Sequence, residues 1–86
     1  MIENVLKRNG TEAPFDLSLI ENAVLKASAA VNAGLSRSWA EMIALAVLGH
    51  LSRRAISTAP TVEEIQDIVE EVLIKFGYPK IAKAYI

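Results

Sequence analysis

Apolar residues recur at intervals of three and four in two stretches of the chain, the spacing that places side chains on one face of an α-helix. The first stretch follows Asp16, which can cap a helix start, and ends at Asn32-Ala33-Gly34. The second follows Thr61, which can form a capping box with Glu64, and closes at Gly77. The apolar positions are Ile20, Val24, Ala27 and Val31, then Val62, Ile65, Val69, Val72 and Phe76. Both stretches are therefore predicted to be amphipathic helices.

Between them lies a segment that is apolar nearly all round. Ser38, with Glu41 three residues later, predicts a capping box at its start, and the helix is expected to run to about Arg53. Its large apolar residues are Trp39, Met42, Ile43, Leu45, Val47, Leu48 and Leu51. A helix of this kind belongs at the centre of a bundle, covered on several sides.

A short fourth helix is predicted from Pro79 onward, since proline suits a first helical turn, with Ile81 and Tyr85 facing the core. The residues that end the chain, through Ile86, read as helix without a stop signal. We therefore expect one domain over residues 1–86, cut from a longer chain. Four helices and a hairpin make the predicted class α+β.

Two short strands are predicted around Asn9-Gly10, the preferred pair for a two-residue type I′ turn. Such a turn pairs Arg8 with Thr11 and sets Lys7 opposite Glu12 on one face. The other face, which can dock on the core, then carries Leu6, Ala13 and Phe15.

Charge and composition exclude several classes of function. The formal net charge is −1, so no long-range field attracts nucleic acid or an anionic membrane. The chain has no cysteine and a single histidine, His50, which leaves little capacity for metal binding. We find no phosphate-binding glycine loop, no nucleophile beside a base, no signal peptide and no membrane-spanning run. We expect a cytoplasmic domain without turnover of its own.

The candidate anion site is the hairpin with its Lys7-Arg8 pair, together with the starts of the first and third helices. Backbone N–H groups at a helix start and basic side chains are the donors that phosphates require. The alternative from the residues alone is a solvated hairpin tip in which Lys7 pairs with Glu12. For His50, a hydrogen-bonded core or boundary position is favoured over a catalytic role.

Three motifs in sequence resemble the ATP-cone, a nucleotide-sensing domain at the N-terminus of ribonucleotide reductases. Val5-Leu6-Lys7-Arg8-Asn9-Gly10 and Pro14-Phe15-Asp16 resemble its opening. The run from Thr61 to Glu70 resembles its third helix, and the run from Tyr78 to Ile86 its last helix. The closing residues are most similar to the anaerobic glycyl-radical and cobalamin-dependent enzymes.

The resemblance implies a four-helix bundle capped by a β-hairpin or a three-stranded sheet. The domain would bind ATP or dATP, alone or with Mg²⁺, and regulate the catalytic domain of the same chain through oligomer contacts. By position, Lys7 and Arg8 would hold phosphates, Val5 and Ile20 would line the base pocket, Asp16 would lie near the nucleotide, and Thr61 or Val62 would contact it.

Two departures from the family pattern keep a second hypothesis open. The family commonly has a lysine three residues after Asp16, where this sequence has Leu19, and a basic residue expected just past Ile86 is absent from this chain. Each missing charge-assisted contact is worth about 1.5–3 kcal/mol. The alternative to a working sensor is thus a degenerate cone, retained as a structural or docking module without nucleotide binding.

Overall fold

The computed structural model describes residues 2–54 and 59–85. These residues form an N-terminal hairpin and four helices, which confirms the predicted α+β class. The strands are β1 (Asn4–Leu6) and β2 (Glu12–Pro14), and the helices are α1 (Leu17–Ala30), α2 (Arg37–Arg54), α3 (Val62–Lys75) and α4 (Pro79–Tyr85).

The four helices form a bundle in which each helix packs mainly on two others. Helix α1 packs mainly on α2 and α4, and α3 packs mainly on the same two helices, so α1 and α3 lie across the bundle from each other. The core between them is aliphatic apart from Trp39. Its largest fully buried apolar side chains are Val24, Ile43, Val47, Leu51, Val69, Val72 and Leu73. The diagonal placement of α1 and α3 leaves their first turns available to the hairpin.

Helix α2 contributes much of this core, as its composition predicts, yet it is not covered on every side. Ile43, Val47 and Leu51 are buried, whereas Met42 and Leu45 are 45% and 59% exposed. The prediction of a central helix was therefore right for one face and wrong for the other.

Helices α1 and α3 begin at the predicted caps. The Asp16 carboxylate accepts a hydrogen bond from the Ser18 N–H (3.0 Å). Thr61 and Glu64 form the full capping box, in which the Glu64 N–H donates to the Thr61 hydroxyl (3.1 Å). Because each cap satisfies an N–H group that the helix itself leaves unpaired, it fixes where the helix begins.

Both helices end in a Schellman motif, with a left-handed residue just after the cap. In α3 this residue is the predicted Gly77 (φ +91°), and the Tyr78 N–H donates back to the Leu73 carbonyl (2.8 Å). In α1 it is Asn32 (φ 56°) rather than Gly34. Because α3 ends before it, Phe76 is 41% exposed instead of buried with the rest of its apolar stripe.

Helix α2 does not begin at the predicted capping box. It starts at Arg37, and the capping contacts come from Ser36, whose hydroxyl accepts from the Trp39 N–H (3.2 Å) and whose carbonyl accepts from the Ala40 N–H (3.1 Å). The prediction of a cap at Ser38 was wrong because Ser38 lies inside the first turn of α2. A capping side chain has to come from the residue just before the helix, and here that residue is Ser36.

The hairpin register differs by one residue from the prediction. Lys7 lies opposite Thr11, and its N–H donates to the Thr11 carbonyl (2.8 Å). The strand pairs are Asn4 with Pro14, Val5 with Ala13 and Leu6 with Glu12. Since side chains alternate between faces along a strand, Val5 rather than Leu6 shares a face with Ala13.

The turn explains the shift. A two-residue type I′ turn needs a positive φ at both Asn9 and Gly10. Gly10 has φ +84°, but Asn9 is not among the described non-glycine residues with positive φ. The Gly10 N–H donates to the Lys7 carbonyl (3.0 Å), which makes a three-residue loop and places Arg8 in the loop instead of opposite Thr11.

The hairpin is also joined to the start of α3. The Leu6 N–H donates to the Pro60 carbonyl (2.9 Å), and Leu6 forms an isolated parallel bridge with Thr61. The sheet of the described residues therefore has two strands and one bridge position, which holds the first turn of α3 beside the hairpin.

Candidate functional site

An apolar pocket of about 180 Å³ lies where the hairpin meets the first halves of α1 and α3. Most of its wall is hydrocarbon, with a few polar groups at its edge. It is lined by Val5, Pro14, Phe15, Asp16, Leu19, Ile20, Ala23, Val62, Ile65, Gln66 and Tyr85. Pockets of this kind, apolar with a few convergent polar groups, are the usual shape of small-molecule sites.

A second, more open cleft adjoins this pocket and carries the basic residues. It is lined by Lys7, Arg8, Asn9, Val62 and Gln66. Val62 and Gln66 line both spaces, so the pocket and the cleft are adjacent along one side of α3. Together they offer an apolar compartment beside a cationic one.

Six of the seven residues singled out from the sequence line these two spaces. Val5, Asp16 and Ile20 line the pocket, Lys7 and Arg8 line the cleft, and Val62 lines both. The seventh, Thr61, lines neither. Its hydroxyl is engaged with Glu64, accepting from the Glu64 N–H and donating to Glu64 Oε1 (3.2 Å).

Arg8 is held across the edge of the cleft by α3. Its Nε donates to Glu63 Oε1 at 2.7 Å, and its Nη2 lies 3.5 Å from Gln66 Oε1. The pKa of the Glu63 carboxyl is lowered, first because it accepts a hydrogen bond from its own backbone N–H and second because of Arg8. Glu63 is therefore ionised across the neutral range and forms a true ion pair.

Lys7 is exposed beside the same cleft. The prediction that its ammonium could pair with Glu12 was wrong for this register, in which Glu12 Oε1 accepts instead from Asn4 Nδ2 (3.3 Å). Within the described ranges, the Lys7 ammonium has no polar partner. It is thus the cation most available to an incoming anion.

The rim of the pocket is apolar at the position where the resemblance calls for lysine. Leu19 lines the pocket and is 65% exposed. Asp16, the N-cap of α1, uses Oδ1 for two hydrogen bonds, from the Ser18 N–H and from the Ser18 hydroxyl (2.7 Å). Neither side chain supplies a positive charge on the α1 side of the pocket.

The lining residues outside the predicted set include Phe15, Gln66 and Tyr85. Gln66 lies one helical turn after Val62, so the four-residue repeat could have identified it. Tyr85 carried no such signal, because its position depends on how α4 packs. Burial raises the pKa of the Tyr85 hydroxyl, which is therefore neutral at ordinary pH.

The described residues were also searched for metal sites and for membrane-spanning helices. Residues 2–54 and 59–85 contain no group of three or more His, Cys, Asp or Glu side chains able to hold a metal ion. None of the helices in the described part of the chain is long and apolar enough to cross a membrane.

Comparison with known proteins identifies relatives of the whole chain. Residues 3–86 match the sequence model of the ATP cone domain. The chain is 38% identical over 91 residues to a vitamin B12-dependent ribonucleoside-diphosphate reductase of Thermoplasma acidophilum, covering 100% of this chain and 11% of that protein. It is 35% identical over 82 residues to an anaerobic ribonucleoside-triphosphate reductase of Haemophilus influenzae, covering 95% of this chain and 11% of that protein.

The chain thus spans about a tenth of the length of these relatives. The two reductases belong to the classes that the closing residues of the sequence most resembled. That resemblance, made from three short motifs, is confirmed by a match over almost the full length.

Proposed function

This chain belongs to the ATP cone domain family, and from that membership we propose that it is a regulatory domain whose pocket and cleft together bind an adenine nucleotide. The pocket lined by Val5, Ile20 and Val62 takes the base. The adjoining cleft takes the phosphates, with Lys7 and Arg8 as their cationic partners. The role of the domain is to sense a nucleotide rather than to catalyse a reaction.

The observation that carries this proposal is that the two compartments are adjacent and share Val62 and Gln66 as lining residues. A nucleotide has an apolar, stackable base joined to a chain of anions, and it needs one compartment of each kind within reach. Burying the base stabilises the complex in proportion to apolar area, and the basic residues add charge-assisted hydrogen bonds to phosphate.

The effectors that we propose are ATP and dATP, with any Mg²⁺ arriving on their phosphates as part of the ligand. In this proposal the domain controls the catalytic domain of a ribonucleotide reductase, since both relatives carry that name. Control through the oligomeric state requires that the two effectors bind two assemblies with different affinity. Residues 1–86 form one such sensing domain.

One observation favours a second candidate, a degenerate cone that keeps the fold without the ligand. Leu19 places an apolar side chain at the pocket rim, and Arg8 is already paired with Glu63. Only Lys7 then meets a phosphate without a competing partner among the described residues. If one cation is not enough, the domain is a structural or docking module.

Calorimetric titration of ATP and dATP separates the two candidates. We expect micromolar binding to the unaltered chain and an affinity lower by about ten- to a hundredfold in Lys7→Ala, the value of one charge-assisted hydrogen bond. Lys80→Ala is the matched control, because Lys80 is exposed and lies outside both compartments. Absence of heat with either nucleotide would favour the degenerate cone.

A further inference from the structure

The ion pair between Arg8 and Glu63 joins two elements that form the phosphate cleft. Arg8 lies in the hairpin loop, and Glu63 lies in the first turn of α3, 55 residues later. The Nε–Oε1 distance is 2.7 Å, although the two side chains are 69% and 55% exposed. Gln66, one turn further along α3, lies within 3.5 Å of the same guanidinium and lines both compartments.

We propose that Glu63 sets the affinity of this cleft for phosphate by holding Arg8 on α3, in competition with the phosphates of the ligand. The inference rests on the proposed function and deepens it. Lys7 provides the first contact with the phosphates, and Arg8 is released to provide the second. The ligand class is a nucleotide with an extended phosphate chain.

The relative strength of the competing contacts makes this exchange feasible. An exposed Arg–Glu pair contributes little to stability, so little is lost when it opens. A phosphate group carries more negative charge than one carboxylate, and it can accept two parallel hydrogen bonds from the guanidinium, where Glu63 accepts one. An uncharged nucleoside has no phosphate to accept hydrogen bonds from Arg8, so it leaves the ion pair in place.

A different role for Glu63 has to be separated from this one. A carboxylate in the first turn of a helix interacts favourably with the partial positive charge of the helix start, whatever Arg8 does. If Glu63 only stabilised α3, its removal would change the thermal midpoint of unfolding and would leave the ratio of ATP to adenosine affinity unchanged.

The test is a double-mutant cycle with Glu63→Gln and Arg8→Ala, titrated calorimetrically with ATP and with adenosine. We expect Glu63→Gln to raise ATP affinity about two- to fivefold, the scale of an exposed ion pair, and to leave adenosine affinity unchanged. In the Arg8→Ala background the same substitution should bring no gain, since no guanidinium is left to release.

Glu71→Gln is the matched control. Like Glu63, Glu71 lies on α3 and forms an ion pair with an arginine at 2.7 Å, in this case Arg54 of α2. Glu71 lines neither compartment. It should leave ATP affinity unchanged.

Besides an unchanged ratio of ATP to adenosine affinity, two further results would overturn the inference while the proposed function stands. One is a gain that persists in Arg8→Ala, which would mean simple repulsion between Glu63 and the phosphates. The other is an affinity that falls in Glu63→Gln only when Mg²⁺ is present, which would make Glu63 a ligand of the nucleotide's metal ion. Absence of ATP binding in the unaltered chain and in every variant would instead reject the proposed function, and this inference with it.

Discussion

At the scale of single residues, Leu19 makes the rim of the pocket apolar on the α1 side. Its side chain is 65% exposed, so it gains little from burial, and it stands at the position where the family resemblance implies a lysine directed at the phosphates. An exposed leucine contributes to neither the core nor the electrostatics of the site. The position is therefore free to change the ligand affinity without changing the fold.

We predict that Leu19→Lys raises the affinity for ATP about tenfold, because one added charge-assisted hydrogen bond is worth about 1.5–3 kcal/mol before the cost of ordering the lysine side chain. Calorimetric titration gives the affinity. Leu45→Lys is the control, since Leu45 is 59% exposed on α2, outside the pocket. Equal gains in the two variants would show a general charge effect and contradict the prediction.

The sequence made part of this residue-scale picture predictable. Leu19 follows Asp16 by three residues, so its position in the first turn of α1 could be predicted. Lys7 and Arg8 stand out as an adjacent basic pair. The partner of Arg8 could not be predicted, because Glu63 is 55 residues away and comes close only through the packing of the hairpin on α3.

At the scale of elements, the starts of α1, α2 and α3 are each capped by one side-chain oxygen. For α2 that oxygen belongs to Ser36, and Ser38 lies within the helix. We predict that Ser36→Ala lowers the free energy of unfolding by about 0.5–2 kcal/mol, because the Trp39 N–H loses its acceptor. Ser38→Ala should change it by less than about 0.5 kcal/mol.

Urea denaturation followed by circular dichroism measures both values. If the two alanine variants were destabilised equally, or Ser38→Ala more than Ser36→Ala, the assignment of the cap to Ser36 would be wrong.

Whether a helix start could be predicted depended on how many neighbouring residues could act as its cap. The caps at Asp16 and Thr61 were predictable because each residue directly precedes an apolar stripe, and Glu64 completes the capping box of Thr61. Ser36 and Ser38 are two candidates for one start, and backbone geometry chooses between them. Likewise, the pair at Asn9-Gly10 predicted a turn, but the φ of Asn9 decided its type and with it the register.

At the scale of the whole molecule, stability comes from an aliphatic core that all four helices enclose. Leu73 and Ile74 are neighbours on α3 with opposite surroundings, 0% and 52% exposed. We predict that Leu73→Ala lowers the free energy of unfolding by about 2–5 kcal/mol through lost burial and a cavity. Ile74→Ala should cost much less.

Chemical denaturation at neutral pH checks this pair of variants. Because small domains are marginally stable, the Leu73 variant is also expected to lose a large part of its folded population on mild heating. A loss for Ile74→Ala as large as that for Leu73→Ala would mean that α3 is buried on the other face.

The number and type of elements were predictable from periodicity at this scale, and their arrangement was not. Apolar spacing shows which face of α1 and of α3 is buried, but it carries no information about which helices are neighbours. The pocket exists because α1 and α3 lie across the bundle and the hairpin covers their first turns. That relation is a property of the packed molecule.

The pocket joins residues from opposite ends of this sequence, Val5 in β1 and Tyr85 in α4. On the ribosome the hairpin is synthesised before the helices, and α4 after the other five elements. Closing so long a loop is an entropically costly, late event in folding. The pocket is therefore completed only once α4 has been made, so that a partly translated chain lacks it.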